Sequence, residues 1–132
     1  MSDTTIRRRI PILIYRDIAA AHEFLCAAFG FEPGRLERAE DGTVVHGEVT
    51  AGDGVLWLHQ VSEQFGLVSP AMAGVCTEGM SIVVDDVDAH HRRAEQAGAE
   101  IVYAPTDQPY GYRDYSARDP ERRLWSFMTP LS

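Results

Sequence analysis

The stretch YGYRDYSARDPERRLWSF, residues 110–127, is where the fold of this chain can first be read. Its Asp119-Pro120 pair predicts a turn, because aspartate and proline both favour turn conformations. The segments on either side, YRDYSAR (112–118) and LWSFM (124–128), are rich in aromatic residues, which favours strands. The stretch therefore predicts an antiparallel hairpin.

A sequence repeat extends this prediction over most of the chain. An offset of 68 residues places Asp17 on Asp85 without any gap between the two halves. The other matches at this offset are Ile14 with Ile82, Ala21 with Ala89, His22 with His90, Gly30 with Gly98, Glu32 with Glu100, and Leu56-Trp57 with Leu124-Trp125. The hairpin of residues 110–127 is therefore predicted to have a counterpart in the first half.

Each half shows the same order of predicted elements. A short apolar run precedes a helix that starts after Asp17 or Asp86, because an aspartate side chain accepts hydrogen bonds from the free N–H groups of a first turn. Gly30 and Gly98 stand where a left-handed helix end is expected. Three extended segments follow each helix, so each half is a predicted β-α-β-β-β module. The predicted bounds are about 8–60 for module one, 61–78 for a loop-like linker and 79–130 for module two, within a single domain of residues 1–132.

Length and composition limit the class of protein. With 132 residues, of which 45% are hydrophobic, the chain has the size of one domain with a small core. Its net charge of −8 argues against non-specific binding to nucleic acid or to an anionic membrane surface. No apolar run approaches the roughly 20 residues of a membrane span. Two cysteines and no signal-peptide pattern predict a reducing, cytoplasmic setting.

The two modules and the stretch 110–127 resemble the vicinal-oxygen-chelate superfamily of glyoxalases, bleomycin-resistance proteins and extradiol dioxygenases. Residues 110–127 are similar to the C-terminal pattern of PhnB-like, glyoxalase-related members. The stretch VVDDVDAHHRRAEQAGAEIV (83–102) is similar to the family's second strand–helix unit. The resemblance implies an α+β fold whose two modules form a U-shaped cup of mixed sheet around a small-molecule ligand. It also implies a homodimer, since dimers are common in the family and sometimes build the cup from two chains.

The resemblance also locates the positions at which metal-using members hold their metal. These members place one ligand at the head of each module's first strand and one on each module's last strand. The resemblance assigns these positions to Pro11, Leu58, Gly79 and Ser126. A divalent transition metal needs donors such as histidine or glutamate, and the weak serine hydroxyl is the only donor here. We therefore expect no metal and no cofactor.

Strand alternation predicts which side chains line the cup. If Ser126 faces inward, the offset of 68 predicts that Leu58 also faces inward and that Trp57 and His59 point towards the helices. Pairing of Tyr115 with Ser126 across the hairpin then predicts that Tyr115 and Arg113 face inward as well. Arg113 could then bind a carboxylate or phosphate with two hydrogen bonds. Alternatively, Arg113 pairs with a neighbouring aspartate, Asp114 or Asp119, and only fixes the turn. The predicted ligand-binding residues are Arg113, Tyr115, Ser126, Tyr15, Leu13, Leu58 and Ser81.

The turn after Asp119-Pro120 departs from the family pattern at one position. Arg122 stands where the family usually has glycine, and a residue with a side chain is poorly suited to a positive φ. The turn is therefore either of another type or strained at Arg122.

These observations favour a metal-free small-molecule-binding protein of the glyoxalase/bleomycin-resistance type, which would sequester a drug or an aromatic metabolite. Two enzymatic alternatives stay open. A metal-independent isomerase or lyase would use Arg113 or Tyr115 with an acidic partner, and a metal-dependent lyase or dioxygenase is the activity best known in the superfamily. The sequence does not decide between binding and catalysis.

Overall fold

The computed structural model describes residues 3–132 and confirms the two predicted β-α-β-β-β modules. Module one contains β1 (Ile12–Ile14), α1 (Ile18–Phe29), β2 (Glu32–Arg38), β3 (Val44–Ala51) and β4 (Gly54–His59). Module two contains β5 (Met80–Val83), α3 (Val87–Gln96), β6 (Glu100–Asp107), β7 (Tyr112–Arg118) and β8 (Leu124–Pro130). The linker was predicted as a loop but includes one short helix, α2 (Pro70–Ala73). This helix forms because Ser69 caps it and Pro70 stands in its first turn.

Each module forms its own four-stranded sheet, with the orders β1-β4-β3-β2 and β5-β8-β7-β6. The first strand of each module pairs in parallel with the last, and all other pairs are antiparallel. The register of the outer strands, β2 and β6, is interrupted by irregularities. The α+β fold with two mixed sheets is thus confirmed, and it is consistent with the predicted cup.

The predicted helix ends are confirmed in both modules. The side chains of Asp17 and Asp86 accept hydrogen bonds from the backbone N–H groups of Ala20 and Ala89. Gly30 ends α1 in the left-handed conformation with a φ of 76°, which a residue without a Cβ adopts at little cost. The helices therefore begin and end where local sequence chemistry predicts.

A single hydrophobic core joins the two modules. Helices α1 and α3 pack against each other, and the helix-covered faces of both sheets contribute to the same cluster of buried side chains. Phe29 of α1 lies at its centre, with its ring centroid 4.7 Å from that of Phe127 and 5.7 Å from that of Trp125. Each sheet therefore has one covered face, towards the helices, and one open face on the other side.

The structure corrects the offset between the repeats from 68 to 69 residues. Asp17 and Asp86 are the equivalent helix caps, and Leu13 pairs with Leu58 as Ile82 pairs with Phe127. The predicted inward orientation of Leu58, and with it that of Leu13 and Tyr15, is therefore wrong. A slip of one residue in an alignment of strands moves every side chain to the opposite face.

A second one-residue slip affected the hairpin of module two. Ser116, rather than Tyr115, lies opposite Ser126, and Arg118 lies opposite Leu124. The turn is therefore one residue shorter than predicted. Tyr115 and Arg113 consequently point to the covered face of the sheet, while Ser116 joins Ser126 on the open face.

The turn between β7 and β8 fastens module two to module one. The buried carboxylate of Asp119 accepts hydrogen bonds from the Tyr15 hydroxyl at 2.6 Å and from Trp125 Nε1 at 3.0 Å. It also accepts from the backbone N–H groups of Glu121 and Arg123. The Glu121 carboxylate in turn accepts from two backbone N–H groups at the start of α1. The turn predicted from sequence alone is thus also a contact between the modules.

Arg122 occupies this turn with a φ of 72°, the strained alternative of the two that the sequence left open. Replacing Arg122 by glycine is expected to raise the free energy of unfolding by roughly 0.5–1 kcal/mol, because a side chain in the left-handed region costs about 1–2 kcal/mol. The lost ion pair with Glu100 is exposed and offsets only part of this gain. Urea denaturation measures the change. Arg122→Ala is the matched control, since it loses the ion pair and keeps the strained φ, and it should not stabilise the protein.

Two histidines on the helices, His22 and His90, have structural roles. His22 is 9% exposed, and its Nε2 lies 3.2 Å and 3.1 Å from the carbonyl oxygens of Gly34 and Glu48. His90 Nε2 lies 2.8 Å from the Phe29 carbonyl oxygen, to which it must donate, so Nδ1 accepts from the Tyr115 hydroxyl at 2.6 Å. A neutral His90 ring therefore forms one hydrogen bond with Phe29 of module one and one with Tyr115 of module two.

The partly buried position of His90 predicts a loss of stability in acid. Burial lowers the pKa of His90, and Arg93 lowers it further, while the hydrogen bond to Phe29 opposes them. The unfolded state, with a histidine pKa of about 6.5, then binds more protons, so the free energy of unfolding should fall as the pH drops below about 6.5. Denaturation at several pH values should show this slope, and His90→Gln should reduce it. An unchanged slope in His90→Gln would show that other groups, such as His59, cause it.

No helix among residues 3–132 is both long enough and apolar enough to cross a membrane.

Candidate ligand-binding site

The structure separates the predicted ligand-binding residues into two groups. Ser126 and Ser81 lie opposite each other on the open face of the second sheet, as predicted. The other predicted residues belong to the covered faces: Arg113, Tyr115, Tyr15, Leu13 and Leu58. The reason is that the repeat offset and the pairing of β7 with β8 were each predicted one residue out of register. Each error assigned the side chains of its strands, those of module one and those of β7, to the wrong face of the sheet. The predicted set therefore does not form one surface.

Arg113 is held by two aspartates that the sequence analysis did not consider. Its Nη2 lies 3.0 Å from an oxygen of Asp88 on α3, and its Nη1 lies 3.1 Å from an oxygen of Asp107 on β6. Both pairs are partly exposed, so each contributes little to stability. Arg113 thus spans the covered side of module two, and its guanidinium is already paired with carboxylates.

The open face of the first sheet carries an aromatic patch of three side chains. His46 and His59 lie opposite each other on β3 and β4, with ring centroids 4.9 Å apart. Trp57 lies parallel to His59, with an interplanar angle of 17° and a centroid distance of 5.9 Å. His46 meets the Trp57 ring edge to face at 5.5 Å. These half-buried rings form a continuous aromatic surface that no part of α1 covers.

The electrostatics of this patch are set by one carboxylate. Glu48 Oε2 lies 2.8 Å from His46 Nε2 and 3.1 Å from Arg35 Nε. The hydrogen bonds from His46 and Arg35 lower the pKa of Glu48 against the opposing effect of burial. Burial lowers the pKa of His59, and the neighbouring His46 lowers it further. The patch thus combines a neutral His59 near pH 7 with a charged Glu48 at its edge.

The open face of the second sheet carries a chain of polar groups. The hydroxyls of Ser116 and Ser126 are 2.7 Å apart. Beside them, the Asp114 carboxylate, which is 2% exposed, accepts hydrogen bonds from Tyr103 at 3.0 Å and from Tyr110 at 2.5 Å. A further hydrogen bond to Asp114 comes from Gln108. The hydrogen bond to Asp114 raises the pKa of Tyr110 to about 12. Asp114 therefore holds the β6–β7 turn over the open face.

The arrangement can bind and orient a molecule, but it does not display a nucleophile beside a base. Under the corrected offset, the counterpart of Ser126 in module one is Trp57, which is not a metal donor. Within residues 3–132, no three histidine, cysteine, aspartate or glutamate side chains come together in a group that could hold a metal ion. The chemistry that these faces offer is aromatic stacking and hydrogen bonding.

A cavity with a volume of about 600 Å³ lies between the β3–β4 turn and β5, with Ser81 of the open-face group in its wall. Its charged walls are Arg8 and Arg9, which are exposed, and Asp53, which lies 4.0 Å from Arg9. The other open-face residue of the predicted set, Ser126, does not line it.

Sequence reasoning missed Trp57, His46, His59 and Asp114 as residues of the open faces. For module one, the sequence contained the information needed to place these residues. Asp85 and Asp86 are adjacent, so that either could be matched to Asp17. Matching Asp17 with Asp86, which the helix cap already favoured, places Trp57 on the open face with Ser126.

Comparison with known proteins assigns the fold and the family. Residues 9–127 match the model of the family described as the Glyoxalase/Bleomycin resistance protein/Dioxygenase superfamily. The uncharacterized protein Mb0911c of Mycobacterium bovis is 32% identical over 125 residues, which are 92% of this chain and 82% of that protein. The crystal structure of TioX from Micromonospora sp. ML1 is 34% identical with a TM-score of 0.78, over 95% of this chain and 99% of that one. A glyoxalase/bleomycin resistance protein/dioxygenase family enzyme from Burkholderia phytofirmans PsJN shares the fold, with 22% identity and a TM-score of 0.73 over 92% and 97% of the two chains.

Proposed function

Because this chain belongs to the Glyoxalase/Bleomycin resistance protein/Dioxygenase superfamily, we propose that it binds a small aromatic molecule on its open sheet faces. The observation that carries the proposal is the stack of Trp57 and His59, whose parallel rings are half-buried and lie on the face turned away from α1. A flat aromatic group can extend this stack, and such contacts are worth about 0.5–1.5 kcal/mol beyond the area buried. The role is that of a binding protein which sequesters its ligand.

A homodimer is part of this proposal. The open faces of the two modules lie on the sides away from the shared helices, so a second chain can cover the face of one module with the face of the other. Such pairing would enclose a ligand between the aromatic patch and the Ser116–Ser126 face. Sedimentation or light scattering measures the oligomeric state, and a monomer that binds ligand at full affinity contradicts this part of the proposal.

Binding without a metal ion is the second part of the proposal. It is supported by the last-strand positions of the two modules under the corrected offset, Trp57 and Ser126, which offer only one serine hydroxyl. Elemental analysis of the purified protein is the test. Stoichiometric nickel, zinc, iron or manganese would favour the metal-dependent lyase or dioxygenase alternative instead. A closer kinship with PhnB-like members stays a prediction.

Replacing Trp57 by alanine is expected to weaken the binding of aromatic ligands by about tenfold, because roughly 1–3 kcal/mol of stacking is lost. Ligands are first found by thermal shift across aromatic metabolites and antibiotics, and their affinities are then measured by calorimetry. Trp57→Phe keeps a ring and should retain most of the affinity. Phe65→Ala, at a linker side chain that is 72% exposed, is the control for an aromatic side chain outside the patch. Equal affinities in Trp57→Ala and the parent protein would remove the patch from the site.

A further inference from the structure

A small cavity lies between β1 and the linker, beside the aromatic patch. Its volume is about 280 Å³. Its walls combine apolar side chains with polar groups, and the residues that matter here are Ile12, Ile14, Leu67, Val68, Val75 and Arg123. Ile12 and Ile14 are the β1 partners of Trp57 and His59 on the neighbouring strand, so the cavity and the aromatic patch share the open face of the first sheet. A ligand on the patch can therefore extend into the cavity.

Arg123 brings a positive charge to this cavity. The residue is 7% exposed, and its Nη2 donates to the Ile14 carbonyl oxygen at 3.0 Å. Its buried Nε has no hydrogen-bond partner, and its guanidinium lies 5.2 Å from the centroid of the Tyr15 ring. Within the described residues, no carboxylate lies within 4.0 Å of Arg123. Its neighbours are therefore a carbonyl group and the Tyr15 ring, whose hydroxyl connects it to the buried Asp119 carboxylate without a direct ion pair.

Such a guanidinium is costly to bury, because a charge removed from water is stabilised only by a counter-charge and by complete hydrogen bonding. Two carboxylates are near enough to be considered: Asp119, which already accepts four other hydrogen bonds, and Glu78 at the rim of the cavity. Glu78 is exposed, and its Oε2 accepts a hydrogen bond from the Thr77 hydroxyl at 2.9 Å. The positive charge of Arg123 is thus left for an external anion.

We propose that Arg123 binds the carboxylate of a small aromatic acid whose apolar part lies against Ile12, Ile14 and the linker. This inference deepens the proposed function and rests on it, since it names the chemical class of the ligand. A carboxylate matches the planar guanidinium with two parallel hydrogen bonds. The burial of Arg123 lowers the local dielectric constant, which strengthens such a charged pair. The anion-binding role that the sequence suggested for Arg113 thus passes to Arg123, because Arg113 is already paired with Asp88 and Asp107.

The first experiment compares 2-naphthoate with 2-naphthamide on the parent protein by calorimetry. The two molecules have nearly the same shape, but only the acid carries a charge. We expect the acid to bind at least tenfold more tightly. Equal affinities, or no binding of the acid at millimolar concentration, would overturn the proposal. Inorganic phosphate in tenfold excess should not displace naphthoate, and displacement would overturn the assignment to carboxylates.

The second experiment uses variants, each checked for folding by circular dichroism. Arg123→Met removes the charge and keeps most of the volume, and it should abolish the preference for acid over amide. Because Arg123 also contacts Ile14 and Tyr15, this variant could fail to fold. Val68→Trp is therefore added: Val68 is 42% exposed, so a larger side chain there should fill the cavity without disturbing the core. It should weaken naphthoate binding at least tenfold, whereas Val102→Trp, at an exposed valine of β6, should not.

The outcomes separate this inference from the proposed function. If both naphthyl compounds bind equally and Trp57→Ala weakens both, the aromatic site stands and the carboxylate site at Arg123 is refuted. If no aromatic compound binds in any screen, the proposed function itself fails. If naphthoate binds and Val68→Trp leaves its affinity unchanged, the acid lies elsewhere and the inference is wrong.

Discussion

Replacing Asp119 by alanine is expected to lower the free energy of unfolding by about 4 kcal/mol. The carboxylate is 4% exposed and accepts hydrogen bonds from the Tyr15 hydroxyl, from Trp125 Nε1 and from two backbone N–H groups. Removing it leaves these four donors without a partner, and each unsatisfied buried donor costs about 1–3 kcal/mol, though such costs are not additive. Changes of this size are confined to a few mechanisms, of which the loss of a buried network is one.

Urea denaturation, followed by the fluorescence of the two tryptophans, measures the effect. Asp53→Ala provides the matched control, because Asp53 lies in the equivalent turn of module one and its side chain is 91% exposed. That control should change the free energy of unfolding by less than about 0.5 kcal/mol. Asp119→Asn, which keeps one acceptor oxygen, should fall between the two. An Asp119→Ala protein as stable as the parent would mean that the turn does not fasten the modules together.

Replacing Phe29 by alanine is expected to cost about 3–5 kcal/mol, the usual range for a buried phenylalanine. Phe29 is 3% exposed, and its ring meets those of Trp125 and Phe127 from module two. The cavity left behind would lie where the two helices and the second sheet meet, so neighbouring elements could not collapse into it without separating. The backbone carbonyl that accepts from His90 would remain.

The matched control for Phe29→Ala is Phe65→Ala, at a linker side chain that is 72% exposed. It should leave the midpoint of denaturation nearly unchanged. The shape of the transition is informative as well: one transition in both proteins would agree with a shared core. Two separate transitions in Phe29→Ala would indicate that the modules unfold independently once their common centre is removed.

The sequence predicted the fold almost completely because the fold depends on patterns that are local and redundant. Each helix has an aspartate cap, each module has three extended segments, and the same order occurs twice. The predicted strands and helices agree with the observed ones to within about two residues, which is the usual scatter of element boundaries. The short helix that begins at Pro70 was missed because its four residues carry no periodic pattern.

The candidate site was predicted less well because it depends on which face of the sheet each strand residue points to, and this face alternates from one residue to the next. Whether a strand residue faces the helices or the ligand changes with a single residue of offset, and aspartates at both 85 and 86 made the offset ambiguous. The length of the β7–β8 turn also sets which residues of the two strands pair, and it was predicted one residue too long. The turn was hard to predict because Arg122 adopts a conformation more typical of glycine.

The position of Arg123 could not be predicted from the sequence. The stretch DPERR (119–123) reads as an exposed, charged turn, yet Asp119, Glu121 and Arg123 are all less than one-tenth exposed. They are buried by module one, which packs on the turn from more than 100 residues away in sequence. Local patterns contain no information on such a contact.

The interrupted outer strands have a consequence for how copies of this chain can meet. A regular, exposed strand edge is a template on which another chain can continue the sheet, which leads to aggregation. Here β2 and β6 break their register, and the opposite edges, β1 and β5, are only 3 and 4 residues long. The sheets therefore offer poor templates at all four edges, which disfavours the open-ended growth of one sheet onto another.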